Sequence, residues 1–408
     1  MSELSYLEKL LDGVEVEWLP LGEVSALRRG RVMSKGYLTE NFGPYPVYSS
    51  QTANNGKIGS INTFDFDGEY ISWTTDGANA GTVFYRTGKF SITNVCGLIT
   101  LKSKYSLIYK FLFYWLTIEA KKHVYSGMGN PKLMSHQVEN IPVPIPCPDN
   151  PEKSLAIQSE IVRILDTFSA LTAELTAELT AELNMRKKQY NYYRDQLLSF
   201  NTEDVPHLPM GQKDIGEFIR GGTFQKKDFI DAGVGCIHYG QIYTYYGTYT
   251  EKTKTYISTA LAKKCKKAQK GDLIIATTSE NDEDVCKAVA WLGSKDIAVS
   301  SDACIYKHNL NPKYVSYFFQ TEQFQNQKRQ YITGAKVRRV NADNLSKILI
   351  PVPSMEIQER IVSILDKFDT LTNSITEGLP REIELRQKQY EYYRDLLFSF
   401  PKPETASN

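Results

Sequence analysis

Two separate stretches of this 408-residue chain carry basic, amide and hydroxyl side chains interleaved with aromatic rings. Arginine and lysine bind phosphate oxygens, and amide and hydroxyl groups also read base edges. We therefore predict a nucleic-acid surface in each stretch, although a solvated face is the commoner origin of any single basic patch. In the first stretch the candidates are Arg28, Arg29, Arg31, Lys35, Ser50, Gln51, Asn54, Asn55, Lys57, Thr74, Thr75, Asn79 and Lys132. In the second they are Arg220, Lys226, Lys227, His238, Tyr239, Gln241, Tyr243, Thr277, Thr278, Lys336, Arg338 and Arg339.

Two short segments near these candidates admit more than one interpretation. Residues 280–284, ENDED, form an acidic cluster without the spacing of a calcium loop. A solvated loop is its commoner origin, and a carboxylate that reads the amino group of cytosine is the alternative. Residues 127–132, GMGNPK, are interpreted as a loop rather than as a phosphate-binding turn.

The chain lacks the motifs of the common catalytic sites. The patterns GxxxxGK[ST], HExxH and GxSxG do not occur, the six cysteines form no CxxC pair, and the five histidines are scattered. We therefore predict a non-catalytic chain that holds no cofactor and no metal ion of its own.

Composition limits where a nucleic-acid surface can lie. The formal net charge is +1, from 48 basic and 47 acidic residues, so any such surface must be local. The first 20 residues have no apolar core or basic leader, and no run of 18 apolar residues occurs. We therefore predict a cytoplasmic protein with reduced thiols.

An internal repeat organises the chain. Residues 157–200 align without a gap to residues 357–400, and 24 of the 44 positions are identical. A weaker echo, GEYISWTT at 68–75 and GDLIIATT at 271–278, indicates that the preceding regions share a fold. We predict an N-terminal helical segment (1–17), a first head (18–153), a helical spacer (154–200), a second head (201–354), a second helical spacer (355–400) and a tail (401–408).

The two helical spacers carry their own candidate contacts. LTAELTAELTAEL places leucines four residues apart at Leu171, Leu175, Leu179 and Leu183, a step that forms a slowly drifting apolar stripe. The most faithful copies are the helix ends, with Tyr190, Tyr193, Arg194, Tyr390, Tyr393 and Arg394. Two interpretations stay open for these ends: packing of one spacer against the other, or docking of two identical partner subunits.

One departure from the repeat predicts a break in the second spacer. Where the first has Glu178-Leu179-Thr180, the second has Gly378-Leu379-Pro380. Glycine is common just after a helix, and proline is common in a first helical turn. We therefore expect two helical pieces there.

Over its whole length the chain resembles the DNA-specificity subunit (HsdS) of Type I restriction-modification systems. The resemblance rests on four kinds of segment: the proline-rich segments that follow each head, IPVPIP (141–146) and IPVP (350–353), the IQxxIVxILDxF helices, the TAEL repeats and the QYxYYRDxLxSF helix ends. The last two resemble the type IC group. We call the proline-rich segments the proline exits. The resemblance implies an α+β fold, with two mixed α/β target-recognition domains joined by two helical segments that form an antiparallel coiled coil with a pseudo-twofold repeat.

The resemblance also implies partners and activities outside this chain. Each head would read one half of a split site in double-stranded DNA, and two methyltransferase subunits and the restriction subunits would join. S-adenosylmethionine, ATP and Mg would then belong to those partners. The TAEL block would act as a ruler for the unread gap.

Two other functions are compatible with parts of the sequence. One is a protein–protein adaptor with two ligand-binding heads on a coiled-coil stalk. The other is a self-sufficient DNA methyltransferase, which needs a motif such as NPPY that residues 130–133 do not match.

Overall fold

The structure is a computed structural model that describes residues 6–127, 129–373 and 377–402. Contacts divide the chain into two compact units: unit 1 takes Met1–Thr176 and Leu385–Asn408, and unit 2 takes Ala177–Glu384. Each unit therefore combines one head with parts of both helical spacers. Residues 1–5 of the predicted N-terminal helix, Met128 of the 127–132 loop and residues 403–408 of the tail lie outside the described residues.

One mixed sheet forms the head of unit 1, with strands in the order β2-β7-β5-β6-β3-β4, and β1 pairs separately with β8. All its neighbours are antiparallel except β3 and β6. The strands are β1 (Val16–Pro20), β2 (Ser25–Arg29), β3 (Phe42–Tyr48), β4 (Lys57–Ile61), β5 (Phe66–Thr74), β6 (Val83–Ile92), β7 (Cys96–Leu101) and β8 (Pro142–Pro146).

Short helices flank this sheet, and one longer helix covers it. They are α1 (Tyr6–Leu11), α2 (Leu21–Val24), α3 (Lys35–Glu40), α4 (Tyr109–Glu119), α5 (Ser135–Val138) and the spacer helix α6 (Pro151–Leu197). The apolar and aromatic segment from residue 109 to 123 forms α4 and the 3-10 turn Ala120–His123. Phe111 and Trp115 of α4 are buried in one core with Ile71 and Ile99 of the sheet.

Unit 2 divides its strands between more sheets, in the orders β10-β19-β15-β17-β12, β13-β11-β18-β14, β16-β20 and β21-β9. The strands are β9 (His207–Pro209), β10 (Gly216–Arg220), β11 (Val234–Ile237), β12 (Tyr249–Thr250), β13 (Thr255–Ile257), β14 (Lys267–Ala268), β15 (Leu273–Ala276), β16 (Thr278–Ser279), β17 (Ala288–Trp291), β18 (Ile297–Val299), β19 (Ala303–His308), β20 (Arg338–Arg339) and β21 (Leu349–Pro351). The helices are α7 (Tyr239–Thr244), α8 (Thr259–Ala262), α9 (Pro312–Phe318), α10 (Glu322–Arg329), α11 (Ala342–Leu345), α12 (Met355–Asn373) and α13 (Gly378–Leu397), the last continuing into unit 1.

The proline exit from the first head is a strand followed directly by a helix. Pro142, Pro144 and Pro146 alternate along β8, which pairs only with β1, so their missing N–H groups remove no bond to a second neighbour. Helix α6 then begins at Pro151, a few residues before the predicted start near Ser154. Proline suits a first helical turn, and the Asn150 side chain accepts the Lys153 N–H at 3.0 Å.

The break predicted in the second spacer is confirmed. Helix α12 ends at Asn373 and α13 begins at Gly378, with residues 374–376 outside the described residues. Gly378 has φ +77°, and a Cβ there would lie 2.6 Å from the Thr370 carbonyl oxygen. Glycine adopts this conformation without strain, so the departure from the repeat suits the point where α13 begins.

Within each unit, a part of α6 packs against a part of the second spacer. In unit 1, Ser169 lies by Tyr390 and Phe168 lies by Tyr393, so the two segments run antiparallel there. In unit 2, the α6 residue Tyr190 shares a core with Ile361 of α12. The predicted α+β fold, with two heads on paired helical segments, is confirmed.

In the part of the chain that the structure describes, no helix is long and apolar enough to cross a membrane. The same residues contain no cluster of three or more His, Cys, Asp and Glu side chains placed to hold a metal ion.

Candidate nucleic-acid interface

In unit 1, the end of β2 places Arg29 against the loop that follows β5. The next residue, Gly30, allows this close approach because it has no Cβ; a Cβ there would lie 2.1 Å from the Ile92 carbonyl oxygen. The Arg29 guanidinium donates to Thr75 Oγ1 at 3.3 Å and to the Asn94 carbonyl at 3.0 Å. Arg29 is exposed beyond these contacts, so its charge is held in place and still open to a ligand.

Thr75 connects this arginine to a second, basic loop. Its N–H donates to the Val95 carbonyl at 3.1 Å, and its carbonyl accepts the Leu133 N–H at 2.9 Å. The neighbouring Lys132 exchanges two main-chain hydrogen bonds with Tyr125, at 2.9 and 3.0 Å. The loop between residues 125 and 132 is thus closed at its base, with exposed Lys132 beside Arg29 and Thr75.

Unit 2 has the same close approach at the end of β10. The Gly221 N–H donates to the Ala303 carbonyl at 3.0 Å, and a Cβ on Gly221 would lie 2.1 Å from the Ser300 carbonyl oxygen. The preceding Arg220 donates through Nε to the Ser301 carbonyl at 3.2 Å and is otherwise exposed.

The second basic loop also recurs in unit 2. The Thr277 N–H donates to the Asp302 carbonyl at 3.0 Å, and the Thr277 carbonyl accepts the Val340 N–H at 3.1 Å. Arg339 exchanges two main-chain hydrogen bonds with Thr333, both 2.9 Å long. Residues 333–339 are therefore closed as residues 125–132 are.

These hydrogen bonds define equivalent positions in the two heads. Arg29 corresponds to Arg220, Thr75 to Thr277, and Lys132 to Arg339. In unit 2 this group lines a cavity of about 300 Å³. We call the two groups the arginine–threonine sites. The two exposed cations, one of them on a closed loop, form a set that binds phosphate or accepting base edges. Thr75 is buried, so in unit 1 its hydroxyl holds Arg29 rather than facing a ligand.

A further set of unit 1 candidates lies on the loop before β4. The Asn79 side chain donates to the Ser50 carbonyl at 3.4 Å, which joins this loop to the one after β5. Asn54 and Asn55 have φ values of 49° and 54°, which asparagine tolerates better than most residues. The Gln51 side chain donates to the Lys57 carbonyl at 2.5 Å.

Arg86 is buried and holds this loop in place, although it was not among the residues predicted from the sequence. Its NH1 group donates to the Asn55 carbonyl at 2.8 Å, and its guanidinium lies 3.6 Å from the centre of the Tyr48 ring. Burial lowers the pKa of Arg86 to about 10, so the group remains charged at neutral pH. An arginine in the middle of an otherwise ordinary strand gave no sequence signal for this role.

Each head has one candidate arginine in an ion pair with an aspartate. Arg31 binds Asp65 at 3.0 Å, and Arg338 binds Asp282 at 2.8 Å. Asp282 belongs to the acidic 280–284 cluster, whose side chains are exposed. Neither aspartate was predicted as a functional residue, although the ENDED cluster was a visible signal for the second.

Several other candidates serve the structure of the heads. The Thr74 hydroxyl is buried and bonds to the Asn79 carbonyl. The His238 ring caps α7 by accepting the Gly240 N–H at 3.3 Å, and burial lowers its pKa. The Gln241 side chain bonds to Thr255 at 3.1 Å.

The remaining candidates are either fixed by hydrogen bonds or exposed. In unit 2, the Tyr243 hydroxyl donates to the buried Thr278 carbonyl at 2.9 Å, and the Tyr239 N–H donates to Ser300 Oγ at 2.9 Å. Ser300 precedes Ser301, which lines the cavity. The exposed side chains are Arg28, Lys35, Lys226, Lys227 and Lys336.

Comparison with known proteins decides the family. The family model described as Type I restriction modification DNA specificity domain matches residues 13–185 and again 209–385. The EcoR124I/EcoR124II specificity subunit of Escherichia coli is 40% identical and covers 100% of both chains. The EcoprrI specificity subunit of Escherichia coli is 36% identical over 92% of this chain and 93% of its own.

The chain belongs to the type I DNA specificity subunit family. A solved chain from work on complex assembly and conformational transition of the type I R-M system has the same fold, with a TM-score of 0.63. It is 13% identical and covers 94% of this chain and 98% of its own. The function predicted from the resemblance is thereby confirmed, and nothing in the comparisons supports the adaptor alternative.

In this specificity subunit, the faithful helix ends are partly internal. Tyr190 is buried and donates to Gln320 Oε1 at 2.9 Å, which favours the packing interpretation for that residue. The Tyr390 hydroxyl accepts a hydrogen bond from Ser169 Oγ at 3.1 Å. Arg194 is also buried and bonds to neighbours on its own helix.

Other side chains of these helix ends are less buried. Tyr193 lies 5.8 Å from the Phe368 ring, and Arg394 donates to Thr117 Oγ1 at 3.4 Å. The most exposed tyrosines were not predicted: Tyr192 is 61% exposed and Tyr392 is 65% exposed. Their rings lie edge-on to Tyr193 and Tyr393 at 5.3 and 5.4 Å. The repeated YY dipeptide was the available signal.

The TAEL leucines differ in exposure along α6. Leu171 is 50% exposed, whereas the other three are half-buried, at Leu175, Leu179 and Leu183.

Proposed function

We propose that each head reads one half of a split site in double-stranded DNA, through its arginine–threonine site. The observation that carries this is the duplication of that site: Arg29 and Arg220 each donate to an equivalent main-chain carbonyl, of Asn94 and Ser301, and equivalent main-chain bonds hold Thr75 and Thr277, although the surrounding loops differ. Main-chain bonds present the cations, and the neighbouring loop side chains supply the base contacts.

A single head would bind DNA weakly and with a steep dependence on salt, because contacts to phosphate release counterions. The formal net charge of +1 supports such a local interaction, since the chain as a whole does not attract DNA. Two linked heads raise each other's effective concentration and favour sites in which both halves have the right separation.

The exposed tyrosine pairs support docking of two methyltransferase subunits, one at each helix end. Tyr192–Tyr193 and Tyr392–Tyr393 present the same aromatic surface twice, and tyrosine is enriched in protein interfaces. The relatives are named as specificity subunits of type I restriction enzymes, which fits a chain that works with modification and restriction subunits.

In this proposal the chain is a non-catalytic recognition subunit in the cytoplasm. S-adenosylmethionine, ATP and Mg act on the partner subunits, and this chain contributes DNA recognition and the spacing between half-sites. The absence of catalytic motifs from the sequence supports this division of labour.

A methylome tests the proposal directly. The chain is expressed with its methyltransferase subunit in a host without adenine methylation, and modified adenines are mapped by single-molecule sequencing. We expect one split motif with a fixed gap. An assembled complex that adds no methylation would overturn the proposal, and so would a continuous motif.

A further inference from the structure

A lysine, an aspartate and a tyrosine join head and spacer in unit 1. Lys110 and Tyr114 lie on α4 of the head, and Asp166 lies on α6. Lys110 Nζ is 2.6 Å from Asp166 Oδ2, and the Tyr114 hydroxyl donates to Asp166 Oδ1 at 2.7 Å. The ammonium also lies 5.6 Å from the Tyr85 ring of the head sheet. Both carboxylate oxygens of Asp166 are thus bound to the head.

The same four groups meet in unit 2. Lys313 and Tyr317 lie on α9 of the head, and Asp366 lies on α12. Lys313 Nζ is 2.7 Å from Asp366 Oδ2, and the Tyr317 hydroxyl donates to Asp366 Oδ1 at 2.7 Å. Here the ammonium lies 3.6 Å from the Tyr249 ring. We call each group a head clamp.

A buried glutamine on the same spacer helix adds a second attachment in each unit. Gln158 Oε1 accepts the Ile108 N–H at 2.9 Å, one residue before α4. Gln358 Oε1 accepts the Asn311 N–H at 2.8 Å, one residue before α9. Two attachments about two helical turns apart fix both the position and the direction of the head helix on its spacer.

The clamps are preserved where the heads differ. Unit 1 builds its head on one mixed sheet, whereas unit 2 divides its strands between several. These ion pairs are only partly buried, with Lys110 and Asp166 37% and 38% exposed and Lys313 and Asp366 20% and 27% exposed, so stability alone gives little reason to keep them. Paired charges and hydrogen bonds instead allow one direction of approach, because donors and acceptors must align.

We infer that Asp166 and Asp366 are positioning residues that hold each head at a fixed angle on its spacer and thereby determine which gap length the subunit accepts. The inference rests on the proposed reading of a split site. In B-DNA, one extra base pair moves a half-site by about 3.4 Å and rotates it by roughly 35°. A head that rocks on its spacer would tolerate such a change, whereas a clamped head would not.

The test uses the complex of the full chain with its methyltransferase subunits. Asp166→Asn, Asp366→Asn and the double variant keep the side-chain shape but remove the charge that holds the lysine. Glu182→Gln is the matched control, because Glu182 pairs with Arg186 at 2.6 Å within α6 and does not bind a head through that pair. Binding is measured on duplexes that carry the wild-type half-sites and differ only in gap length.

We expect the wild-type and Glu182→Gln complexes to bind one gap best. In the aspartate variants, the preference for that gap over gaps one base pair longer or shorter should fall roughly tenfold, as expected for a lost charged hydrogen bond. The half-site sequences in a methylome should stay unchanged. An unchanged gap preference would overturn the inference, and so would an equal loss of affinity at every gap, which is the mark of a merely structural role.

Failure of the variants to assemble and failure of the proposed function can each be told apart from failure of the inference. If the asparagine variants do not assemble, Tyr114→Phe and Tyr317→Phe each remove one hydrogen bond from a clamp, and the same comparison of gaps decides. If the wild-type complex shows no split motif, the proposed function fails first, whatever the clamp variants do.

Discussion

The two heads share one arrangement of main-chain hydrogen bonds, and they differ in the side chains at the positions where DNA would be read. Main-chain hydrogen bonds hold Thr75 and Thr277 in the same way, but Lys132 in one half stands where the other has Arg339. Met134 and Asn341 differ again at the next equivalent position, each just before a short helix. The framework is set by backbone contacts, so the side chains it presents can change without refolding the head.

The spacers show the opposite relation: their residues are alike, but their backbones differ. Helix α6 is continuous from Pro151 to Leu197, whereas α12 and α13 are separate helices. The sequence difference behind this is small, with Gly378 and Pro380 at the positions of Glu178 and Thr180. A continuous helix transmits a change of length to both ends, so the TAEL block of α6 is where spacing should be altered most effectively.

Deleting residues 177–180, one TAEL-length unit, should have the largest effect. It shortens α6 by about 6 Å and rotates one end by roughly 40°. That is close to one or two base pairs of B-DNA, so methylation at sites with the original gap should be lost and should appear at a gap shorter by one or two. A methylome of the deletion variant measures this, and an unchanged gap would show that α6 is not the ruler.

Removal of the arginine from one arginine–threonine site should affect one half-site only. Arg220→Ala should weaken binding by about 10- to 100-fold and relax sequence preference in the half read by head 2, since a lost base contact costs about 1–3 kcal/mol. Arg29→Ala should do the same for the other half. The measurement is binding of the assembled complex to a library randomised in one half-site at a time.

Lys263→Ala provides the control for that comparison, because Lys263 is exposed, lies outside both arginine–threonine sites and is not among the candidate nucleic-acid residues. Its loss should leave the preference for each base unchanged. If Arg220→Ala relaxed both half-sites equally, the heads would not be independent readers. If it only reduced affinity evenly across sequences, Arg220 would be a phosphate contact.

Sequence patterns predicted the framework better than the site. Leucine spacing and the internal repeat predicted helix α6 and the break near Gly378, because each depends on local backbone preference. The Arg29 guanidinium contacts Thr75 and Met134, residues 46 and 105 positions away in the sequence, and no local pattern encodes that. The candidate list therefore mixed exposed cations such as Arg29 with buried residues such as Thr74 and Thr75.

Burial was the information the sequence lacked. Tyr190 and Tyr192 stand two residues apart in the same repeated motif, yet the first is 4% exposed and the second 61%. Helical spacing predicts which residues share a face, but not which face the head covers. The inclusion of Tyr190 among the candidates for packing or docking and the omission of Tyr192 have this one cause.

A half-buried histidine should make unit 2 more sensitive to acid than unit 1. The ring nitrogens of His308 are buried, and this burial lowers its pKa to about 4. Because the folded pKa lies below the unfolded value near 6.5, stability is complete above that value and is lost as pH falls toward 4. Roughly 2 kcal/mol should be lost between pH 7 and pH 5 from this group.

His308→Leu checks the assignment, because Leu101 occupies the equivalent end position of β7 in unit 1. Chemical denaturation at pH 7 and pH 5 should show a smaller pH effect in the variant than in the wild type. An equal pH effect in both would place the acid sensitivity elsewhere.

Removing the ion pairs beside the two sites should change DNA affinity least, and the change should differ between the heads. Asp282 is 54% exposed in its side chain and Asp65 is 30% exposed, so each pair contributes little to stability. Asp282→Asn removes a negative charge from the exposed acidic cluster and frees Arg338 for phosphate. DNA affinity should therefore rise about two- to fivefold at low salt, and the gain should disappear at high salt.

Asp65→Asn is the matched change in head 1, and its effect should be smaller. Arg31 also donates to the Tyr37 hydroxyl at 3.2 Å and lies 5.1 Å from that ring, so it stays in place after the carboxylate is lost. Arg338 keeps only a main-chain contact, its 2.6 Å bond to the Gly334 carbonyl, within the loop that carries it. Binding measured across a salt series separates the two cases. A fall in affinity for Asp282→Asn would mean that the carboxylate itself contacts DNA, which is the cytosine-reading alternative for the acidic cluster.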